Sequence, residues 1–230
     1  MLQRVHVRIF VCMVGLSFFA STVSRAADVS AHLAAKRTDS DTVPAAVIWL
    51  KPVHESASNA LPPEHFTLTQ KNKTFIPHLL VVPLGSSVAF PNTDPFFHNV
   101  FSLFDGRRFD LGLYEAGSTR SVVFSREGVS YIFCNIHSEM SAVVITLTTP
   151  FFSVADPNGR FQITGVPEGD YDLHLWIEGR QQNALEKQPR RIHLASGRLD
   201  LGEIDAGQPE QVPHRNKFGR PYDVDSHPIY

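Results

Sequence analysis

Hydrophobic positions along this chain come in short runs that alternate with polar ones at a period near two. They are interrupted at close intervals by Pro, Gly, Asn and Asp. Runs of helical spacing are few, so the pattern predicts an all-β protein. The densest stretch starts at His65, where HFTLTQ, FIPHLLVVPLGSSVAF, HNVFSLF, RSVVFS, VSYIFC and AVVITLT follow one another as strand candidates. Gly85-Ser86 and Glu127-Gly128 supply turns between them. Asn92, Asp94 and Pro95 break the chain just before His98 and place that histidine at the start of a strand. This many strands over residues 64–149 fit one compact β-sandwich.

Residues 27–63 hold two further apolar segments, VSAHLAAK and AAVIWLKPV, predicted as a β-hairpin with a long polar loop. HESASNALPPEH then reads as a linker. Residues 150–206 form a second sandwich-like block. In it DPNGRF turns into the alternating strand RFQITGV, and PEGDYDLHLWIEG follows with Tyr171, Leu173 and Leu175 on one face. RRIHLASGRLDLGEI closes the block as two short strands. The tail, 207–230, is polar and Pro-rich without periodicity and is expected to be extended or disordered.

The N-terminus changes the picture from fold to address. Arg4 and Arg8 precede the apolar run IFVCMVGLSFFASTV, and Ser24-Arg25-Ala26 offers a small-residue cleavage site. The run is short for a bilayer span. Residues 1–26 therefore read as a signal peptide, with a periplasmic or secreted mature chain from about Ala27 and no membrane span after cleavage. A formal net charge of −2 predicts no nucleic-acid footprint.

Of the two cysteines, Cys12 lies in the signal, so Cys134 has no disulfide partner in the mature chain. A lone thiol in an oxidising compartment needs burial or a metal. Cys134 stands with His137 and Met140 in the loop of YIFCNIHSEMSAVVITL, and thiolate, imidazole and thioether together are the soft donor mix that selects copper. His98, on its own strand, can supply a second imidazole. His78, on the apolar segment FIPHLLVV, reads as structural. So do His32, His54, His65, His174 and His193, while His214 and His227 read as solvated tail residues.

With these residues in view, the stretch from about His65 to Thr148 resembles the plastocyanin-like cupredoxins, and the spacing Cys-x2-His-x2-Met resembles that of amicyanin most. The resemblance implies one type 1 copper ion held by His98, Cys134, His137 and Met140. It implies that Asn99 hydrogen-bonds across to the ligand loop, and that His137 turns a ring edge to solvent as the electron port. Two features depart from the family: Asn135-Ile136 stands where a proline often precedes the histidine, and Ser138-Glu139 replaces apolar neighbours. The block DPNGRFQITGVPEGDYDLHLW resembles the carboxypeptidase regulatory-like, transthyretin-like sandwiches. Such sandwiches begin with two strands that are absent before Phe151 but present between Val29 and Val53. The cupredoxin-like part is therefore expected to be inserted into the second sandwich, completed by residues 28–58. Fusions of this type resemble proteins described as methylamine-utilisation cupredoxins.

The expected function is single-electron transfer between redox partner proteins. Two alternatives stay open: a copper-handling protein that delivers or senses the metal, and a carbohydrate-binding or interaction module with a structural metal. Trp176 reads first as a core residue, and as a glycan contact only under the last alternative. No enzyme is expected, because there is no paired His-x-His motif, no HExxH, no GxSxG and no phosphate loop.

Overall fold

A computed structural model describes residues 26–34, 43–54, 61–103, 106–180, 189–207 and 215–222. The segment before Ala26, expected to be a signal peptide, most of the polar loop RTDSDTVP, residues 55–60 of the linker, His214 and His227 lie outside the described residues. Those described are all-β, and among them no helix is long and apolar enough to cross a membrane.

The middle of the chain folds into two facing sheets. One has β3 (His65–Thr67), β7 (Ser87–Pro91) and β10 (Thr119–Val123) in the order β10-β7-β3. The other has β6 (Leu79–Pro83), β8 (His98–Ser102), β9 (Phe109–Tyr114), β11 (Gly128–Phe133) and β12 (Ser141–Leu147) in the order β6-β12-β11-β8-β9. Between them lies a core that includes Leu68, Val88, Phe90, Val100, Phe124, Ile132 and Val144. A small hairpin, β4 (Thr69–Lys71) with β5 (Thr74–Ile76), turns through Asn72 and Lys73, both in the left-handed region at φ 54° and 55°. β9 was not among the strand candidates, because Asp110 and Gly112 make FDLGLY look like a loop.

The segments VSAHLAAK and AAVIWLKPV do not form the expected hairpin. β1 (Ala26–Ala34) lies between β14 (Arg160–Pro167), to which it is antiparallel, and β17 (Gly197–Asp205), to which it is parallel. β2 (Ala46–Pro52) belongs to a different sheet, ordered β13-β2-β15-β16 with β13 (Phe152–Val154), β15 (Gly169–Ile177) and β16 (Arg190–Leu194). Burial explains the separation. β1 buries one face only, through Ala27, Val29, Ala31 and Leu33, whereas β2 is buried on both. A strand apolar on both faces needs a layer on each side. Ala46, Ile48 and Leu50 point into a core shared with β1, β14 and β15, while Val47 and Trp49 point the other way.

That other face packs Val47, Trp49 and Trp176 on Val129, Val143, Ile145 and Leu147 of β11 and β12. β12 alternates in the same manner, Ala142 and Val144 inward and Val143, Ile145 and Leu147 toward β2 and β15. Two sandwiches therefore meet sheet against sheet. Trp176 is 2% exposed and donates its indole N–H to the Tyr131 hydroxyl at 3.2 Å, which leaves no ring face for a sugar. His78 crosses the same seam to Glu178 at 2.5 Å and also meets the Ser141 carbonyl, in keeping with a structural role.

The turn between β13 and β14 ties the N-terminal strand down. The Asp156 side chain accepts the N–H groups of Asn158 and Arg160, and Gly159, at φ +77°, offers its carbonyl to Leu33 N–H at 2.7 Å. A Cβ at Gly159 would lie 2.7 Å from the Leu33 carbonyl oxygen, so only glycine allows this approach.

Candidate metal centre

The site sits at one end of the first sandwich, where β8 begins and β11 ends. Alternation along β11 sends Ile132 and Cys134 into the core. The chain then turns tightly: Met140 N–H donates to the His137 carbonyl at 3.1 Å, and Cys134 N–H to the Met140 carbonyl at 3.2 Å. These bonds close the loop into a unit of fixed shape, with Met140 buried in the same apolar cluster as Cys134. Local sequence spacing makes that closure entropically cheap.

His98, Cys134 and His137 are brought together. His98 Nδ1 lies 3.8 Å from Cys134 Sγ, His137 Nδ1 lies 3.6 Å from it, and the two ring nitrogens are 3.1 Å apart. Among the described residues this is the one cluster of His, Cys, Asp and Glu donors close enough to share an ion. A triangle with those edges has a centre roughly 2 Å from all three atoms, a metal-to-nitrogen bond length. His98, Cys134 and Met140 are fully buried and His137 is 8% exposed, the least buried of the four residues.

Electrostatics prepare the same atoms. His98 Nε2–H donates to Asp94 Oδ2 at 2.8 Å, which leaves Nδ1 as the lone-pair nitrogen facing the triangle. Asp94 is itself buried, and burial alone would raise its pKa. The Lys73 N–H, His98 and the Asn72 N–H together outweigh that and hold it below the usual value, so the carboxylate stays charged. Burial lowers the pKa of both imidazoles, the Asp94 contact opposing it at His98, and keeps them neutral as ligands must be. Burial pushes the Cys134 thiol up, but the backbone N–H groups of Asn99, Ile136 and His137 pull the other way and would stabilise a thiolate. Phe96 closes the space beside both rings, its centroid 5.2 Å from His98 and 5.6 Å from His137.

Asn99 does bond across to the ligand loop, but through its backbone N–H, which meets the Cys134 sulfur; its side-chain amide donates instead to Asp110 Oδ1 on β9 at 2.8 Å. β9 presents Asp110 to Asn99 across the pairing of β8 with β9. One expectation needs correction. Not all of the tail is extended: residues 215–222 fold into a turn against the ligand loop, where Tyr222 O–H donates to the Cys134 carbonyl at 2.8 Å and Lys217 N–H to Asn135 Oδ1 at 3.0 Å. Asp94 and Asp110 were missed as contributors to the site. The signal for Asp94 was its place four residues before His98, where it was read only as a strand breaker.

Two neutral imidazole nitrogens facing a cysteine sulfur, sealed from water, form a set whose lone pairs repel unless a cation lies between them. The soft sulfur favours copper over harder ions, and this donor set fits it.

No family model and no curated protein matches the chain. Among solved structures it is similar to a purple cupredoxin from Nitrosopumilus maritimus, at 22% identity over 35% of this chain and 98% of that one, with a TM-score of 0.32. It is similar to amicyanin from Paracoccus versutus, at 18% identity over 38% of this chain and 85% of that one, TM-score 0.32. A copper-containing nitrite reductase from Thermus scotoductus aligns at 24% identity over 42% of this chain but only 25% of its own length, TM-score 0.35.

Proposed function

We propose that this chain holds one copper ion through His98, Cys134, His137 and Met140 and carries single electrons between protein partners outside the cytoplasm. The observation that carries the reading is the buried triangle of His98 Nδ1, His137 Nδ1 and Cys134 Sγ, with a charged carboxylate fixing the ring of the first histidine.

A copper ion held there would supply one-electron chemistry by alternating between Cu(I) and Cu(II). The protein supplies the rest. Asp94 fixes the tautomer and orientation of His98, and through the N–H groups of Asn72 and Lys73 it anchors that orientation to the β4–β5 turn. Backbone N–H groups at the Cys134 sulfur offset its burial. The loop hydrogen bonds keep the spacing of Cys134, His137 and Met140 the same whatever the charge between them, which favours rapid exchange of electrons with little rearrangement. Four protein donors would leave no open position for a substrate, so we assign no catalysis. His137, the least buried of the four, is the residue through which an electron would enter or leave.

Titrating the mature protein with Cu(II) while recording its visible spectrum tests this. An intense thiolate-to-copper band, bleached reversibly by a reductant and absent from Cys134→Ser, is the expected result. A colourless protein that binds copper would favour delivery or sensing of the metal. Absence of copper binding would overturn the assignment.

A further inference from the structure

The turn at 215–222 carries a set of hydrogen bonds of its own. Asn216 Oδ1 accepts the N–H groups of Phe218 and Arg220, both at 3.0 Å, and Asn216 and Arg220 pair through their backbone at 2.9 Å. Arg215 adds a bond to the Gly219 carbonyl at 3.1 Å. A preorganised turn loses less entropy on docking than an open tail would.

Its outward contacts converge on one place. Tyr222 O–H donates to the carbonyl of Cys134 and Lys217 N–H to the side chain of Asn135, so two successive residues of the ligand loop are gripped from outside. The Lys217 ammonium pairs with Asp110 Oδ2 at 2.8 Å, and Asp110 Oδ1 accepts from Asn99, whose own backbone N–H meets the Cys134 sulfur. The turn thus reaches the cysteine by two paths, one through its carbonyl and one through Asp110 and Asn99. These contacts fall on the ligand loop and on the β9 carboxylate behind it.

Resting on the copper reading above, we propose that Lys217 and Tyr222 are positioning residues for the metal, and that the 215–222 turn is a clamp that holds Cys134 in place and slows loss of the ion. Both act through other groups, Tyr222 through the Cys134 carbonyl and Lys217 through Asn135 and the Asp110–Asn99 pair. Removing partners of this kind around a metal ligand weakens metal binding by roughly ten- to a hundredfold.

Four proteins test the clamp: the full chain, the double variant Lys217→Met/Tyr222→Phe, the double variant Lys217→Arg/Tyr222→Phe, and the chain ending after Gly207. Each is loaded with Cu(II) and challenged with excess chelator. Release about tenfold or more faster in Lys217→Met/Tyr222→Phe and in the shortened chain, with a shifted thiolate-to-copper band, and slower release restored in Lys217→Arg/Tyr222→Phe, is expected. Equal release rates and identical bands in all four would overturn the proposal. A second arm uses the metal-free proteins and follows alkylation of Cys134 by iodoacetamide. Faster alkylation of the altered chains supports the clamp even should the full chain take up no copper, a result that would sink the copper reading alone. Equal alkylation rates in that circumstance would sink the clamp as well.

Discussion

The two sandwiches are built from the same kind of alternating strand, yet their interiors differ in kind. The core shared by β1, β2, β14, β15 and β16 is aliphatic with two aromatic rings, Phe161 and Tyr171, at its centre and Phe151 at its margin. Every buried polar or charged side chain among the described residues lies between Gln70 and Thr149, in the other sandwich. Several of these, Gln70, Asn92, Asp94, His98 and Asn99, gather at the end where the candidate metal centre sits. A buried polar group is costly unless it is hydrogen-bonded. Gln70 bonds to the Tyr114 hydroxyl and Asn92 to the Phe96 and Tyr114 carbonyls. Asp94 accepts from Asn72, Lys73 and His98. One sandwich is organised for stability, and the other spends part of its interior on orienting donors. The contrast divides mutations into those that unfold the protein and those that change the site.

The largest effect should come from the dry core. Leu50 is fully buried on β2 between layers that close from both ends of the chain. Leu50→Ala should lower the free energy of unfolding by about 2–5 kcal/mol, measured by urea denaturation of the metal-free protein. The copper spectrum of the folded fraction should be unchanged. A shifted band would show that the second sandwich shapes the site, and the division would fail.

A smaller effect on stability but a specific one on the metal is expected at Asp94. Asp94→Ala leaves His98 without a fixed tautomer and the Asn72–Lys73 turn without its acceptor. Copper affinity should fall by roughly ten- to a hundredfold, read by competition with a chelator of known strength. Asp94→Asn, which keeps an oxygen for the His98 N–H, should fall between the variant and the native chain. Native affinity in Asp94→Ala would mean that the carboxylate is merely part of the turn.

How much of this was legible beforehand follows from the range of each interaction. Cys134, His137 and Met140 lie within one loop, so the spacing alone marked them as candidates, and His98 followed from the breakers before it. All-β character showed in the alternation. Strand partners did not: an apolar run says that a segment is buried but not against what, and β1 finds β14 and β17 only when the far end of the chain arrives. AAVIWL carried a hint, since a continuous apolar run signals burial on two faces, and this favoured a central strand over a hairpin arm. The role of Asp110 depends on Asn99 and Lys217, remote donors that no local spacing encodes; Asp94 stands four residues before His98, but its other donors, Asn72 and Lys73, come from the β4–β5 turn. The tail misled for the same reason. Its composition is that of a disordered segment, and its order rests on Asn216 and on docking partners supplied by the ligand loop.

The smallest predicted effect lies at the seam between the two regions. His78, between β5 and β6, meets Glu178, just beyond β15, with both side chains about two-fifths exposed. The hydrogen bond to Glu178 raises the His78 pKa above 6.5 against the opposing effect of burial, and the same bond lowers the pKa of Glu178 below 4.5. A histidine with a raised folded pKa contributes stability below its unfolded pKa and loses it as pH climbs through the folded value. A glutamate with a lowered one contributes above its unfolded pKa and loses it as pH falls. The pair therefore acts in full between about pH 4.5 and 6.5. Exposure limits it to about 1 kcal/mol or less. Glu178→Gln keeps a hydrogen-bond partner but removes the charge, so the native chain should exceed the variant in unfolding free energy near pH 5.5 and converge with it near pH 9. Other titrating groups cancel in that difference. A constant gap across the range would show that the charge of the His78–Glu178 pair adds nothing to the seam, which the apolar contact of Trp49 and Trp176 with β11 and β12 and the Lys51–Glu127 ion pair would then hold.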